Sequence, residues 1–290
     1  MKRVYTLAFL FAFFVLSAYA CDIHGITGIV EENNLWIGVE DKEAGGITEA
    51  DFNDAIDKVY AIYAPIIEKL GKKLVVNRKW EDGTVNAFAQ QTGLNWQVSM
   101  FGGLARHQAI TKDGFTTVIC HEIGHHLAGA PKTTSFFGAV TWASNEGQSD
   151  YWATSKCLKK YMENDDNVKI VEQLDLPDHL VKSCESTYGS EAEQALCKRI
   201  GMAGMSLANL FKDLRKLTVP LNFATPDPKV VTDTNHKHPD PQCRLDTYYQ
   251  GGLCDLDPNL VTSSTDSKIG HCNQVDGYNI GIRPLCWFKP

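Results

Sequence analysis

Apolar residues recur at three- and four-residue intervals from Phe52 through Ile56, Val59, Tyr60, Tyr63, Ile66 and Ile67 to Leu70, which predicts an amphipathic helix with one face on a core. Thr48 with Asp51 three residues on supplies its N-terminal cap. Before it, residues 21–47 show charge and glycine without a period and read as a lead-in with a short strand at Leu35–Ile37. Three short strand-like runs follow at 73–77, 84–89 and 95–100. A helix is expected over 113–128, closed by Gly129 and Pro131, and a second over 144–161. The longest helical pattern spans 191–217, where Met202, Met205, Leu207, Leu210, Phe211 and Leu214 form a stripe that reads as core. Residues 218–241 read as a loop, and from Cys243 onward four cysteines among turn residues read as a disulfide-stapled cap. A few short strands and a mostly helical second half imply an α+β chain.

Composition adds a location. Lys2 and Arg3, an apolar run from Val4 to Leu16 and Ala18-Tyr19-Ala20 before Cys21 have the form of a secretory signal, so residues 1–20 are expected to be removed. An uncleaved anchor is the alternative. Cys21 also admits a lipid anchor, although Ala18 stands where such a signal normally carries Leu. The remainder, 21–242 as the main domain and 243–290 as an extension packed on it, has no second run long enough to span a bilayer. Removing Lys2 and Arg3 takes the formal charge from −7 to −9, which argues against nucleic acid or an anionic membrane as the main partner. The nine cysteines of an exported chain should mostly be paired, with Cys21 or Cys120 the odd one left over.

The candidate chemistry lies in His121-Glu122-Ile123-Gly124-His125. Residues four apart share a helix face, so the two imidazoles can aim at one point with Glu122 beside it. That suits Zn²⁺, with two nitrogen ligands and a carboxylate able to take a proton from a water. Gly124 would let a partner approach closely. The stretch Asn145-Glu146-Gly147-Gln148-Ser149-Asp150 offers Glu146 as third metal ligand and, one turn on, Asp150 to hold the free ring N–H of a histidine. His126 points elsewhere and is read as structural.

Together, H-E-x-x-H and N-E-x-x-S-D some twenty residues later resemble the gluzincin peptidases. Val85-Asn86-Ala87-Phe88-Ala89, Gly103-Leu104 and His238-Pro239 with Arg244 are similar, in order and spacing, to segments of the HtpX and CAAX prenyl endopeptidase family. The resemblance covers residues 84–157 and 236–246 and implies a zincin-like fold. Family members of the HtpX type carry membrane helices that this chain lacks, so it looks like a soluble exported relative, periplasmic or secreted, and prenylated substrates are not carried over. The resemblance further implies that Asn86 and Ala87 lie on an edge strand where an extended peptide substrate adds its backbone, with a plain sheet edge as the alternative. It sets His238 facing the metal site, where an oxyanion donor, a resting-state ligand and a loop residue without a role all remain open. His236 could substitute for it. Arg244 reads as an ion-pair partner.

The expected function is therefore a zinc endopeptidase with one catalytic ion and Glu122 as general base. Two rivals stand beside it: a zinc-bearing envelope protein that holds unfolded chains without cutting them, and a latent protease held shut by residues 21–47 or by His238.

Overall fold

The computed structural model describes residues 18–19, 28–42, 44–134 and 139–290. The expected leader and Cys21 therefore lie outside the described residues, apart from the backbone of Ala18 and Tyr19. The chain is α+β, about 44% helix with small sheets.

Strand β1 (Ala18–Tyr19) precedes helix α1 (Glu49–Lys69), which begins at the expected cap: Asp51 N–H donates to Thr48 Oγ1 and Thr48 N–H to the Asp51 carboxylate. Strands β2 (Lys73–Lys79), β3 (Ala87–Thr92) and β4 (Asn95–Phe101) form one sheet with β1 in the order β1-β3-β4-β2. β3 and β4 are an antiparallel hairpin, and β2 runs parallel to β4 with Val76 opposite Val98. The strand expected over 84–89 starts later, because Thr84 is tied up locally. Its N–H is held by Asp82 Oδ1, its carbonyl by Leu104 N–H, and it bridges Trp36 instead of β4. The short strand expected at Leu35–Ile37 is reduced to that bridge.

The helical turn α2 (Gly102–Ala105) leads to α3 (Lys112–Leu127), capped by Thr111. From Gly114 to His126 every residue of α3 is buried, as expected of a helix covered on all sides. Phe115, Val118, Ile119 and Ile123 share one cluster with Phe52, Ile56, Val59 and Ile67 of α1 and Val98 and Met100 of β4. A second small sheet, β5 (Lys132–Thr134) with β6 (Val140–Ser144), returns the chain to α4 (Glu146–Trp152). A π-helical turn at Ala153–Cys157 joins α4 to α5 (Leu158–Met162), so the helix expected over 144–161 is present but underwound in its middle.

Helices α6 (Asn167–Val171) and α7 (Asp178–Thr187) precede the long α8 (Glu191–Leu214), whose Ile200, Leu207 and Leu210 complete the main core. Helix α9 (Pro241–Leu253) then packs along α8. Pro241 occupies its first turn, where a missing N–H costs nothing. The extension expected from 243 thus begins inside a helix of the main body. Cys243–Cys286 and Cys254–Cys272 staple the rest onto it, and Cys184–Cys197 ties α7 to α8. The expectation that Cys120 is an unpaired candidate is corrected. On α3 it faces the π-helical turn and is bonded to Cys157. Among the described residues no helix is long and apolar enough to cross a membrane.

Candidate metal centre

α3 presents His121 and His125 one turn apart, both fully buried, with their rings edge-on at 4.7 Å. Each Nδ1 is engaged away from the shared face. His121 Nδ1 lies 2.7 Å from Asp150 Oδ1, and His125 Nδ1 lies 2.8 Å from the Ser144 carbonyl and 3.1 Å from Ser149 Oγ. With Nδ1–H donating to these oxygens, both Nε2 lone pairs are left for a shared point.

At that point stands Glu146, the first residue of α4, whose N-cap is Asn145 accepting from Gln148 N–H. His121 Nε2 is 3.3 Å from Glu146 Oε2 and His125 Nε2 is 3.7 Å from Oε1. Ligands bound at about 2.0–2.1 Å around a tetrahedral ion sit about 3.3 Å apart, so this trio fits zinc; its ligand atoms all lie within 4.8 Å of one another. α4 reaches this position because Gly124 lacks a side chain. A Cβ there would come within 3.2 Å of Ser149 Cα. The only other such grouping among the described residues, Asp227 with Cys243 and Cys286, cannot ligate through sulfurs that are already bonded to each other.

Glu122 lies beside the trio with both carboxylate oxygens buried and without a hydrogen-bond partner, as is His121 Nε2. Burial pushes the Glu122 carboxyl up to about 8. Burial also lowers His125 to about 4. His121 is pulled the other way: burial opposes its charge, but the Asp150 carboxylate outweighs it and raises the ring to about 9. For Glu146, burial is outweighed by the surrounding imidazoles, chiefly His238, which hold it well below the usual carboxylate range.

Asp150 is the most heavily bonded group in the centre. Besides His121 it accepts from Arg244 Nε and Nη2, both at 2.7 Å, and from Tyr248 Oη at 2.6 Å. Sequence reasoning weighed Arg244 as an ion-pair partner and missed Tyr248. The signal was present, since Arg244 and Tyr248 are four apart and share a face once α9 is read as a helix. His238 is brought to the site, with Nε2 3.2 Å from Glu146 Oε2 and 2.9 Å from the Gly28 carbonyl. His126 faces away, stacked between Trp96 and Trp142 with its nitrogens on Gln91 and Gln97.

Asn86 and Ala87 stand where β3 begins, and both face the lead-in instead of open solvent. Ala87 O accepts from Ile29 N–H at 3.0 Å, and Asn86 bonds the Val30 backbone. No protein-family model, curated protein or solved structure matches the chain.

Proposed function

We propose that this chain is a zinc-dependent endopeptidase of the gluzincin type, exported to an oxidising compartment. The observation that carries the reading is the convergence of His121 Nε2, His125 Nε2 and the Glu146 carboxylate beside a buried, unpartnered Glu122. The four disulfides among the described residues accord with export. His121, His125 and Glu146 would hold the ion, which when bound supplies the Lewis acidity that activates a water and polarises a peptide carbonyl.

The chain's own groups do the rest. Glu122, buried beside the trio with both oxygens unpartnered, takes the proton of the attacking water and delivers it to the leaving amine. Asp150 keeps His121 in the tautomer that offers Nε2. His238 is near enough to Glu146 to donate to an oxyanion developing at the scissile carbonyl, a contribution of about 3 kcal/mol. The substrate would be an extended peptide pairing with the edge of β3 at Asn86 and Ala87.

Incubation of the zinc-loaded protein, intact and cut between Asn34 and Leu35, with a proteome-derived peptide library tests the reading. Fragments that vanish with chelator and with Glu122→Gln, while zinc content holds, are expected. Equal fragmentation by Glu122→Gln would contradict the role of Glu122, and no fragments from either the intact or the cut chain would leave a zinc-bearing binding protein instead.

A further inference from the structure

The edge of β3 that a substrate would use is filled by the chain itself. Ile29 N–H donates to Ala87 O at 3.0 Å, and Asn86 clasps Val30 in both directions, accepting from its N–H and donating to its carbonyl at 3.4 Å. One residue earlier, the Gly28 carbonyl sits 2.9 Å from His238 Nε2, the nitrogen that also faces Glu146. Arg244 Nη1 holds the Ile29 carbonyl at 2.7 Å, and Glu31 pairs with Arg215 at 2.9 Å. Thus the β3 backbone acceptor, the Asn86 amide and the His238 nitrogen are all engaged by Gly28–Glu31. Behind them Glu122 is fully buried.

We infer that Gly28–Glu31 is an internal pseudosubstrate that occupies the peptide-binding edge of the metal centre, so that the folded chain is latent until this strap is displaced. The inference rests on the peptidase reading of the cleft and deepens it. A strap that only completed the sheet would have no need to place a carbonyl on His238. Its side chains also describe the occupant it excludes: a peptide with an apolar β-branched pair, as at Ile29 and Val30, following the residue whose carbonyl meets His238. Both side chains are buried in the main core cluster. Gly28 itself has φ +78, a left-handed conformation that turns the backbone out of the extended form. The strap therefore fits the groove without presenting its own peptide bond as a strand would. β1 pairs with Gln90 and Gln91 farther along the same edge. It belongs to the expected leader, and its removal would leave Gly28–Glu31 as the remaining block.

Gly28 also provides the test. A Cβ at this position would strike Asn86 Oδ1 and lie 2.5 Å from Ala87 O, so Gly28→Ala should unseat the strap without touching a metal ligand. The probe is a fluorescein-labelled, amidated peptide copying residues 27–34, titrated by polarisation against the full zinc-loaded chain carrying Glu122→Gln. Adding Gly28→Ala should raise probe affinity at least tenfold and speed hydrogen exchange of the Ile29 amide by a similar factor. Should that variant not fold, a site-specific protease sequence inserted between the exposed Asn34 and Leu35 allows the strap to be cut after folding. The cut chain should show the same gain. Unchanged probe affinity in the folded variant or the cut chain, or unfolding of the cut chain, would make Gly28–Glu31 a fixed part of the fold and overturn the inference. A gain in binding without chelator-sensitive cleavage by the same strap-released chain with Glu122 intact would overturn the peptidase reading alone. Cleavage by the parent chain with no gain on strap release would overturn the latency alone.

Discussion

Arg244 meets Asp150 through two parallel hydrogen bonds, Nε to Oδ2 and Nη2 to Oδ1, each 2.7 Å long and both wholly buried. The fork fixes a carboxylate that in turn orients His121, so a residue of α9 sets the geometry of a candidate ligand on α3. Burial opposes the charge on Asp150, but Arg244 and then His121 hold it below its usual range. Asp150→Asn should keep the shape and lose that charge, lowering zinc affinity about 10–100-fold, as read by competition with a chromophoric chelator. Arg244→Met should cost about 3–5 kcal/mol of stability, because it leaves a buried carboxylate without its counter-ion; urea unfolding measures it.

The Cys120–Cys157 bond ties the residue before His121 to the π-helical turn that follows α4. It spans 37 residues, for which loop closure in the unfolded chain predicts about 3–4 kcal/mol. The paired variant Cys120→Ala with Cys157→Ala should unfold at correspondingly lower urea. Its zinc affinity should also fall, since α3 and α4 lose their covalent register. A variant as stable as the parent would show that packing alone holds the two helices together.

Asp246 on α9 gives a pH dependence remote from the metal. Burial raises its carboxyl from 3.8 to about 6, only partly offset by the Asp227 N–H and Gln242 that bond it. A carboxyl raised in the folded state contributes stability below its unfolded value and loses it as pH climbs through about 6. Asp246→Asn should therefore stabilise the protein at pH 7 by about 2 kcal/mol. The gain should vanish near pH 4, as paired urea melts at the two pH values will show. A gain independent of pH would assign the effect to packing instead of ionisation.

Arg199 of α8 forks onto Asp113, at the start of the histidine helix, with both bonds at 2.8 Å, and reaches Asp165 at 2.8 Å. It is 6% exposed, so Arg199→Met should cost about 3 kcal/mol. Thermal unfolding at low and high salt checks this, and a loss below 1 kcal/mol would mean that solvent already screens the cluster.

Helices α1 and α8 were legible because an apolar period follows a capping Thr or Ser, and α3 because its run ends at Gly129 and Pro131. α9 was not, because its buried face carries Arg244, Asp246 and Thr247 among the apolar residues, and Gly251 and Gly252 near its end resemble a turn. The convergence of His121, His125 and Glu146 was legible from the spacing within α3 and at the start of α4. Tyr248 was hidden with α9. Residues 21–47 stood among the expected ways of holding the site shut, but the placement of Gly28–Val30 on β3 could not be read. His238 and Gly28 are 210 residues apart, and no period along the chain encodes a meeting of that kind.

The claim on which the rest depends is that two imidazoles and one carboxylate bind a single zinc ion. Zinc-edge X-ray absorption of the protein loaded with one equivalent tests it most directly. Two nitrogen ligands at about 2.0–2.1 Å and a carboxylate oxygen at a similar distance are expected, with Glu146→Ala losing the oxygen and His121→Ala one nitrogen. A sulfur-rich shell, or a spectrum unchanged by either substitution, would contradict it.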